Sequence, residues 1–584
     1  MREPNTEPRI KWTGLLSSTA PNRVFIAIIL GSLAGFAYAL IIPLILKSVH
    51  QSPLAHKIEH IFDTEEHGEH FHLFGFIDIS TPKLALAFFI LCLFILICRG
   101  ASQSLLARVA IDATVALRKN IYRRISQVPI QDLERIGPSR LLTAMNSDVA
   151  QVVRGATIFP GLFAHLTTLI GLLAFLLYLN VSVFLFIIGT IIVGAITYQI
   201  PIIFGRRFMA RARNSFDRIQ EGMRGLIYGA KELKLNQQRR RAFLDSDLYA
   251  FEESFGVNQK RGDTLVIFGM TYGDLISFFA IGAVTYAMAN YYSLSRESLV
   301  GVIMVLLYIT APIVALINAI GPIAQASVAT GKLQTLFNDM PVEESWDQQS
   351  GIADLRTLKL EDLAFTYGGD EKFQLGPVNI ELQQGEVTFL VGGNGSGKTT
   401  LGKLLSLHYL PQAGKVYFND HPVTAANRDA FRQSISAIYS DFYLFTQLFG
   451  ITSKELESLA STYLKELKLD TAVSINNGQF SSTSLSDGQK KRLALLVTYL
   501  EDRSLYIFDE WASDQDPAFK KIFYYQILPS LKRMNKVVVV ISHDDRYFHL
   551  ADRVIRMESG EILDNTAVSG GENIEEIRTV TTST

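Results

Sequence analysis

Apolar and polar positions divide the chain into two unlike halves. From Val24 to Leu46 no Asp, Glu, Lys or Arg interrupts an apolar run, which is long enough to cross a bilayer core that takes about 20 residues. A second run opens near Leu84, stays uncharged to Cys98 and continues through Arg99 into a charged stretch with helical character. The pattern predicts a helix that outlasts the membrane. Gly155–Gly205 again lacks Asp, Glu, Lys and Arg and has room for two spans, with Asn180-Val181-Ser182 as the turn between them. A fifth span is predicted over about Thr264–Tyr291, interrupted by Asp274, and a sixth within the uncharged stretch Ser298–Gly331.

After Lys332 the pattern changes. Asn338–Leu355 is polar and reads as a linker, and a soluble α/β unit with short apolar runs follows. The expected organisation is a six-helix transmembrane domain over 1–331, a linker over 332–355, an ATPase domain over 356–564, and a polar, Thr-rich tail over 565–584 predicted to be disordered.

Composition agrees with a membrane half joined to a soluble one: 48% of residues are hydrophobic. The net charge of −1 offers no global basic field for a nucleic acid. The placement of charge is more telling. Arg108–Arg154 and Arg206–Arg261 hold 8 and 13 Lys and Arg residues, against four (Lys47, Lys57, Lys83, Arg296) on the other side of the spans. Cytoplasmic loops carry the excess, so both termini are expected in the cytoplasm. Met1–Asn22 is polar and has no short apolar core with a cleavage site, so the first helix is expected to stay as an anchor. Cys92 and Cys98 would sit about 9 Å apart along one helix, farther than a disulfide spans.

Two features of the membrane half invite chemistry. Arg99 and Asp274 are ionisable groups at membrane depth, where they are costly unless they face a wet cavity or each other. They either line a translocation path or form a structural pair or interfacial positions. The loop between the first two spans carries His50, His56, His60, His67, His70 and His72 among several glutamates. His56, His60, His67, His70 and His72 are candidate extracytoplasmic metal ligands; the other reading is a solvated loop that happens to be rich in histidine.

In the soluble half, Glu386–Val391 reads as a strand, Leu401–Leu410 as a helix, and between them lies Gly392-Gly-Asn-Gly-Ser-Gly-Lys-Thr399. This is a phosphate-binding loop in its required strand-loop-helix setting. Gly392, Asn394, Gly395, Ser396, Gly397 and Thr400 would wrap the phosphates of ATP, Lys398 would meet the β and γ phosphates, and the Thr399 hydroxyl would ligate Mg²⁺. A second strand, Leu505–Phe508, ends in Asp509-Glu510. Asp509 is the second candidate Mg²⁺ ligand, and Glu510 the group that orients or deprotonates the attacking water.

Leu485-Ser-Asp-Gly-Gln489, about 20 residues before Asp509, resembles the signature sequence of ABC transporter ATPases, and the resemblance extends over nearly the whole chain. It implies that Ser486, Gly488 and Gln489 contact ATP held by a second subunit, that Tyr367 stacks on adenine, that Asp516 closes the matching loop, and that His543 senses the γ phosphate. The family's metal-linking Gln falls at Ser440, whose shorter side chain would act through water. Six spans followed by one ATPase resemble an exporter that works as a homodimer. More narrowly, Phe373-Gln-Leu-Gly-Pro-Val378, Ser440-Asp-Phe-Tyr-Leu-Phe445 and Asp509-Glu-Trp-Ala-Ser-Asp-Gln-Asp-Pro517 are similar to the cyclic-peptide exporters, which handle siderophore precursors, lipopeptides and lasso peptides. Leu133–Arg140 and Gly229–Leu235 resemble that group's cytoplasmic loops and are candidate segments for touching the ATPase. A lipid flippase, a multidrug exporter and a ligand-sensing membrane ATPase are the alternatives.

Overall fold

The computed structural model describes residues 20–50, 71–73, 77–79, 82–288, 295–344, 355–367, 373–450 and 454–568. Among them six helices are long and apolar enough to cross a membrane: Pro21–Ser48, Pro82–Gln127, Pro138–Leu179, Val181–Tyr228, Gln237–Met288 and Ser298–Asn338. The second is one unbroken helix of 46 residues, about 69 Å long at 1.5 Å per residue. The predicted turn is present. Asn180 leaves helical geometry, and its side-chain oxygen accepts from the Val183 amide at 3.1 Å, capping the fourth span.

By compactness the chain forms two units, and the border does not follow the sequence-based domains. Of the described residues, those up to Ile121 together with Leu142–Leu336 form one unit, and Tyr122–Leu141 with those from Phe337 onward form the other.

In the membrane unit the spans approach closely where side chains are small. A Cβ on Gly35 would stand 2.3 Å from the Ala164 carbonyl oxygen, and the Thr168 hydroxyl donates to the Gly35 carbonyl at 3.1 Å. Such a contact admits no larger residue.

Besides the small hairpin Ile475–Asn476/Gln479–Phe480, the ATPase unit holds two larger sheets. Their strands are β1 Thr357–Thr366, β2 Gln374–Gln383, β3 Val387–Gly392, β4 Ala413–Phe418, β5 His421–Pro422, β6 Ile435–Ile438, β7 Leu505–Asp509, β8 Val537–Ile541, β9 Arg553–Glu558 and β10 Glu561–Ala567. The larger sheet has the order β10-β9-β3-β8-β7-β6, parallel except for the β9–β10 pair. The smaller, β2-β1-β4-β5, is antiparallel. Every residue of β7 and β8 is buried, as expected of parallel strands covered on both faces. That is why Leu-Tyr-Ile-Phe and Val-Val-Val-Val-Ile read as unbroken apolar runs.

The expected linker differs from its prediction. Helical structure persists to Asn338, Met340 is fully buried, and the buried Glu343 carboxylate bridges Arg428 at 2.9 Å and Arg432 at 2.8 and 2.9 Å. A buried carboxylate is tolerated only when paired in this way. At the other end β10 runs to Ala567, three residues beyond the expected domain end.

Candidate active site

The phosphate-binding loop leaves β3 at Gly392 and enters the helix Lys398–Leu405. Two of its glycines are required by geometry. Gly392 (φ +149°) would place a Cβ 2.1 Å from the Met557 carbonyl oxygen, and Gly397 (φ +99°) caps the helix in the left-handed region. The helix is shorter than the predicted Leu401–Leu410 at its far end, because Ser406 leaves helical geometry. Lys398 folds over the loop, its ammonium donating to the carbonyls of Gly392 (3.0 Å) and Gly393 (2.8 Å). Burial holds this ammonium below the usual lysine range. Both bonds hold the ammonium against the loop's own backbone.

Asp509 ends β7, buried, and accepts from the Thr399 hydroxyl at 3.1 Å. Burial raises its pKa, an effect opposed by that hydrogen bond. A buried carboxylate beside a hydroxyl is a hard oxygen pair that fits Mg²⁺, and the metal's charge would offset the desolvation. Ser440 is exposed in the turn after β6, and the neighbouring Asp441 lies within electrostatic reach of Asp509.

Glu510 has φ +48°, unusual for a residue with a side chain. Its carboxylate lies 3.1 Å from His543 Nε2, and both line a cavity of about 320 Å³ with Lys520, Tyr524 and Asp544. The structure therefore brings together the strand-end glutamate and the histidine that follows β8. Tyr367 stands edge-on to Phe365 and Tyr409 and shares a 3.2 Å hydrogen bond with Thr400.

Ser486 caps the helix Asp487–Glu501 in a reciprocal box with Gln489. A Cβ on Gly488 would stand 2.9 Å from the Asp514 carbonyl oxygen. No hydrogen bond or ion pair among the described residues joins Ser486, Gly488 or Gln489 to the phosphate-binding loop of the same chain. Asp516 caps the helix Pro517–Ile522 by accepting from the Phe519 amide at 2.9 Å. That bond and Arg492 hold its carboxyl below the usual range.

Leu133–Arg140, a candidate segment for touching the ATPase, packs within the same unit as it. Glu134, on the helix Ile130–Ile136 of the first long loop, pairs with Lys403 at 2.7 Å and accepts from the Tyr409 hydroxyl. Since Tyr409 also packs against Tyr367, this loop reaches the aromatic cluster around Tyr367. Sequence reasoning missed Lys491, hidden in a run of three basic residues. The second candidate segment forms the helix Ala230–Leu235, with Leu235 almost fully exposed.

In the membrane unit, Arg99 lines a cavity of about 210 Å³ with Tyr38, Gln103, His165 and Tyr308. Asp274 does not line it, and no ion pair joins the two among the described residues, so the structural-pair alternative is not realised. Cys92 and Cys98 are free thiols. The metal reading at His56, His60, His67 and His70 lies outside the described residues; His72 falls in the strand Phe71–Leu73, with its side chain likewise outside them.

Two family models match: "ABC transporter" over residues 375–513 and "ABC transporter transmembrane region" over 24–223. The ATP-binding protein SyrD of Pseudomonas syringae pv. syringae is 32% identical over 577 residues, spanning 95% of this chain and 97% of that one. The chain belongs to the ABC transporter family. As an ABC transporter it is a multi-pass membrane protein that couples ATP hydrolysis to transport. It is also 25% identical to the ATP-dependent lipid A-core flippase of Bordetella pertussis, over 80% of this transporter and 77% of the flippase. Its fold matches a bacterial Atm1-family ABC exporter with ATP bound at a TM-score of 0.70 and 15% identity, covering 97% of this chain and 99% of that one.

Proposed function

We propose that the transporter is a homodimer in the bacterial inner membrane, with its ATPase unit and both termini in the cytoplasm, and that it exports a cyclic or otherwise modified peptide. The observation that carries the dimer is the division of the ATP site. Lys398, Thr399, Asp509, Glu510 and His543 lie at or just after the C-terminal ends of the adjacent strands β3, β7 and β8, whereas among the described residues Ser486 and Gly488 make no hydrogen bond to them. A second copy would supply Ser486 and Gly488, with a helix N-terminus facing the γ phosphate. Thr399 and Asp509 would hold Mg²⁺, which screens phosphate charge when bound. Glu510 orients the attacking water, and His543 holds the Glu510 carboxylate in place.

The peptide substrate is supported by the Asp509–Pro517 run and by end-to-end similarity to SyrD, against shorter and weaker similarity to flippases. The cavity around Arg99, Gln103 and His165 also offers the polar groups that a peptide needs and a lipid tail does not. Uptake into inverted membrane vesicles tests the reading. ATP-dependent accumulation of a labelled lipopeptide or lasso peptide is expected. Movement of fluorescent lipid without peptide would favour the flippase, and ATPase stimulation without any flux would favour a sensor.

A further inference from the structure

The run Lys490-Lys491-Arg492 looks like the solvated face of a helix, yet Lys491 is buried, its side chain 5% exposed. From the second turn of Asp487–Glu501 its ammonium donates to the Glu510 carbonyl oxygen (2.9 Å) and the Ser513 hydroxyl (3.1 Å), and it pairs with Asp514 (2.7 Å). Three protons meet three acceptors, so the group has no freedom left. Glu510 needs such restraint because φ +48° is disfavoured for a residue with a Cβ. Its carbonyl also accepts from Ser513 at 2.7 Å, and its amide donates to Ile541 at 3.0 Å. Both backbone groups of the glutamate are thereby fixed, which fixes the direction in which its carboxylate leaves the strand.

The same helix is braced to the same loop at further points, Arg492 donating to Gln515 at 2.9 Å and to Asp516 at 2.6 Å. Trp511 Nε1 donates to the Lys491 carbonyl at 2.9 Å, and Gln515 Nε2 donates to the Gly488 carbonyl at 2.9 Å.

We propose that Lys491 is a positioning residue for Glu510, and that it ties the aim of this carboxylate to the helix whose first turn touches the other copy's ATP. The second clause rests on the homodimeric reading. When that ATP draws on Ser486 and Gly488, the helix carries the pull to Lys491, and Lys491 to the Glu510 peptide. Hydrolysis at one composite site then depends on occupancy of the other.

The test uses the full-length transporter in lipid nanodiscs. K491M keeps the length of the side chain and removes the ammonium. It is expected to lower kcat by roughly 100-fold, as small misplacements of catalytic groups do, with KM for ATP within about 2-fold, and to bring the Hill coefficient for ATP from above 1 to about 1. D514N, which leaves the Glu510 contact in place, is expected to keep most of kcat. K491R is expected to recover part of it. Wild-type kcat and an unchanged Hill coefficient in K491M would overturn the proposal. So would a kcat loss accompanied by an equal rise in KM and a fall in melting temperature, which marks a packing residue. If K491M does not fold, an unchanged kcat in K491R beside a collapsed kcat in D514N overturns it equally. Light scattering of E510Q with ATP reports the dimer separately: a chain that stays monomeric refutes the homodimer while leaving the kcat effect of K491M to be read for the first clause.

Discussion

The two units treat their polar groups in opposite ways. In the ATPase unit the buried ionisable groups are matched to named partners: Lys398 to loop carbonyls, Asp509 to Thr399, Lys491 to Glu510 and Asp514, and Glu343 to two arginines. In the membrane unit Arg99 opens on a cavity beside Gln103 and His165 with no ion-pair partner among the described residues. A site with one unchanging ligand is finished in advance, since preset dipoles need no rearrangement during reaction. On the function proposed above, the Arg99 cavity would meet cargo with hydrogen-bonding capacity held in reserve.

The comparison can be broken at either end. The largest effect is expected from E510Q, which should lower hydrolysis by about 10³-fold while leaving ATP bound, since the general-base contribution is of that order; near-normal turnover would remove Glu510 from its role. Next, R99A should raise the peptide concentration that half-saturates ATPase stimulation by roughly 10- to 100-fold, the value of a hydrogen bond to a charged group, with KM for ATP unmoved. A parallel change in KM for ATP would show that Arg99 is structural and that the contrast between the units is false.

The third expectation concerns pH. Burial lowers the pKa of His408 to about 4, while the unfolded chain protonates near 6.5. Below 6.5 the unfolded state gains a proton that the folded state refuses, so stability falls as pH drops from 6.5 toward 4 and is kept above it. Between pH 7.5 and 5 the ATPase unit should lose ~2 kcal/mol through this residue, at 1.36 kcal/mol per pKa unit. H408Q should show a correspondingly flatter profile in thermal melts. The smallest effect is expected from Y367A, in which loss of one stacking face costs about 1 kcal/mol, or roughly a 5-fold higher KM for ATP with kcat preserved.

Much of this was legible in the chain. Uninterrupted apolar runs located the spans, because a bilayer tolerates little else, and the glycines, Lys398, Thr399, Asp509 and Glu510 announced themselves by spacing. What stayed hidden depends on contacts far apart in sequence. Lys491 sits in a run of three basic residues with nothing to single it out; its burial is decided by Glu510 and Asp514, some 20 residues on. Glu343 looked like linker because nothing nearby in sequence reveals Arg428 and Arg432. Leu133–Arg140 was legible as a segment that touches the ATPase; that the whole stretch Tyr122–Leu141 packs with it was not.

That last feature has a consequence for the order of synthesis. Glu134 leaves the ribosome 269 residues before Lys403, its partner. At the usual 5–20 residues per second it waits roughly 10 to 50 seconds for it. The buried cores of the ATPase unit come from the last part of the chain to be translated, but the patch around Lys403 and Tyr409 is covered by a piece laid down between the second and third spans, so a gene fragment beginning at residue 337 would encode this unit with that patch bare.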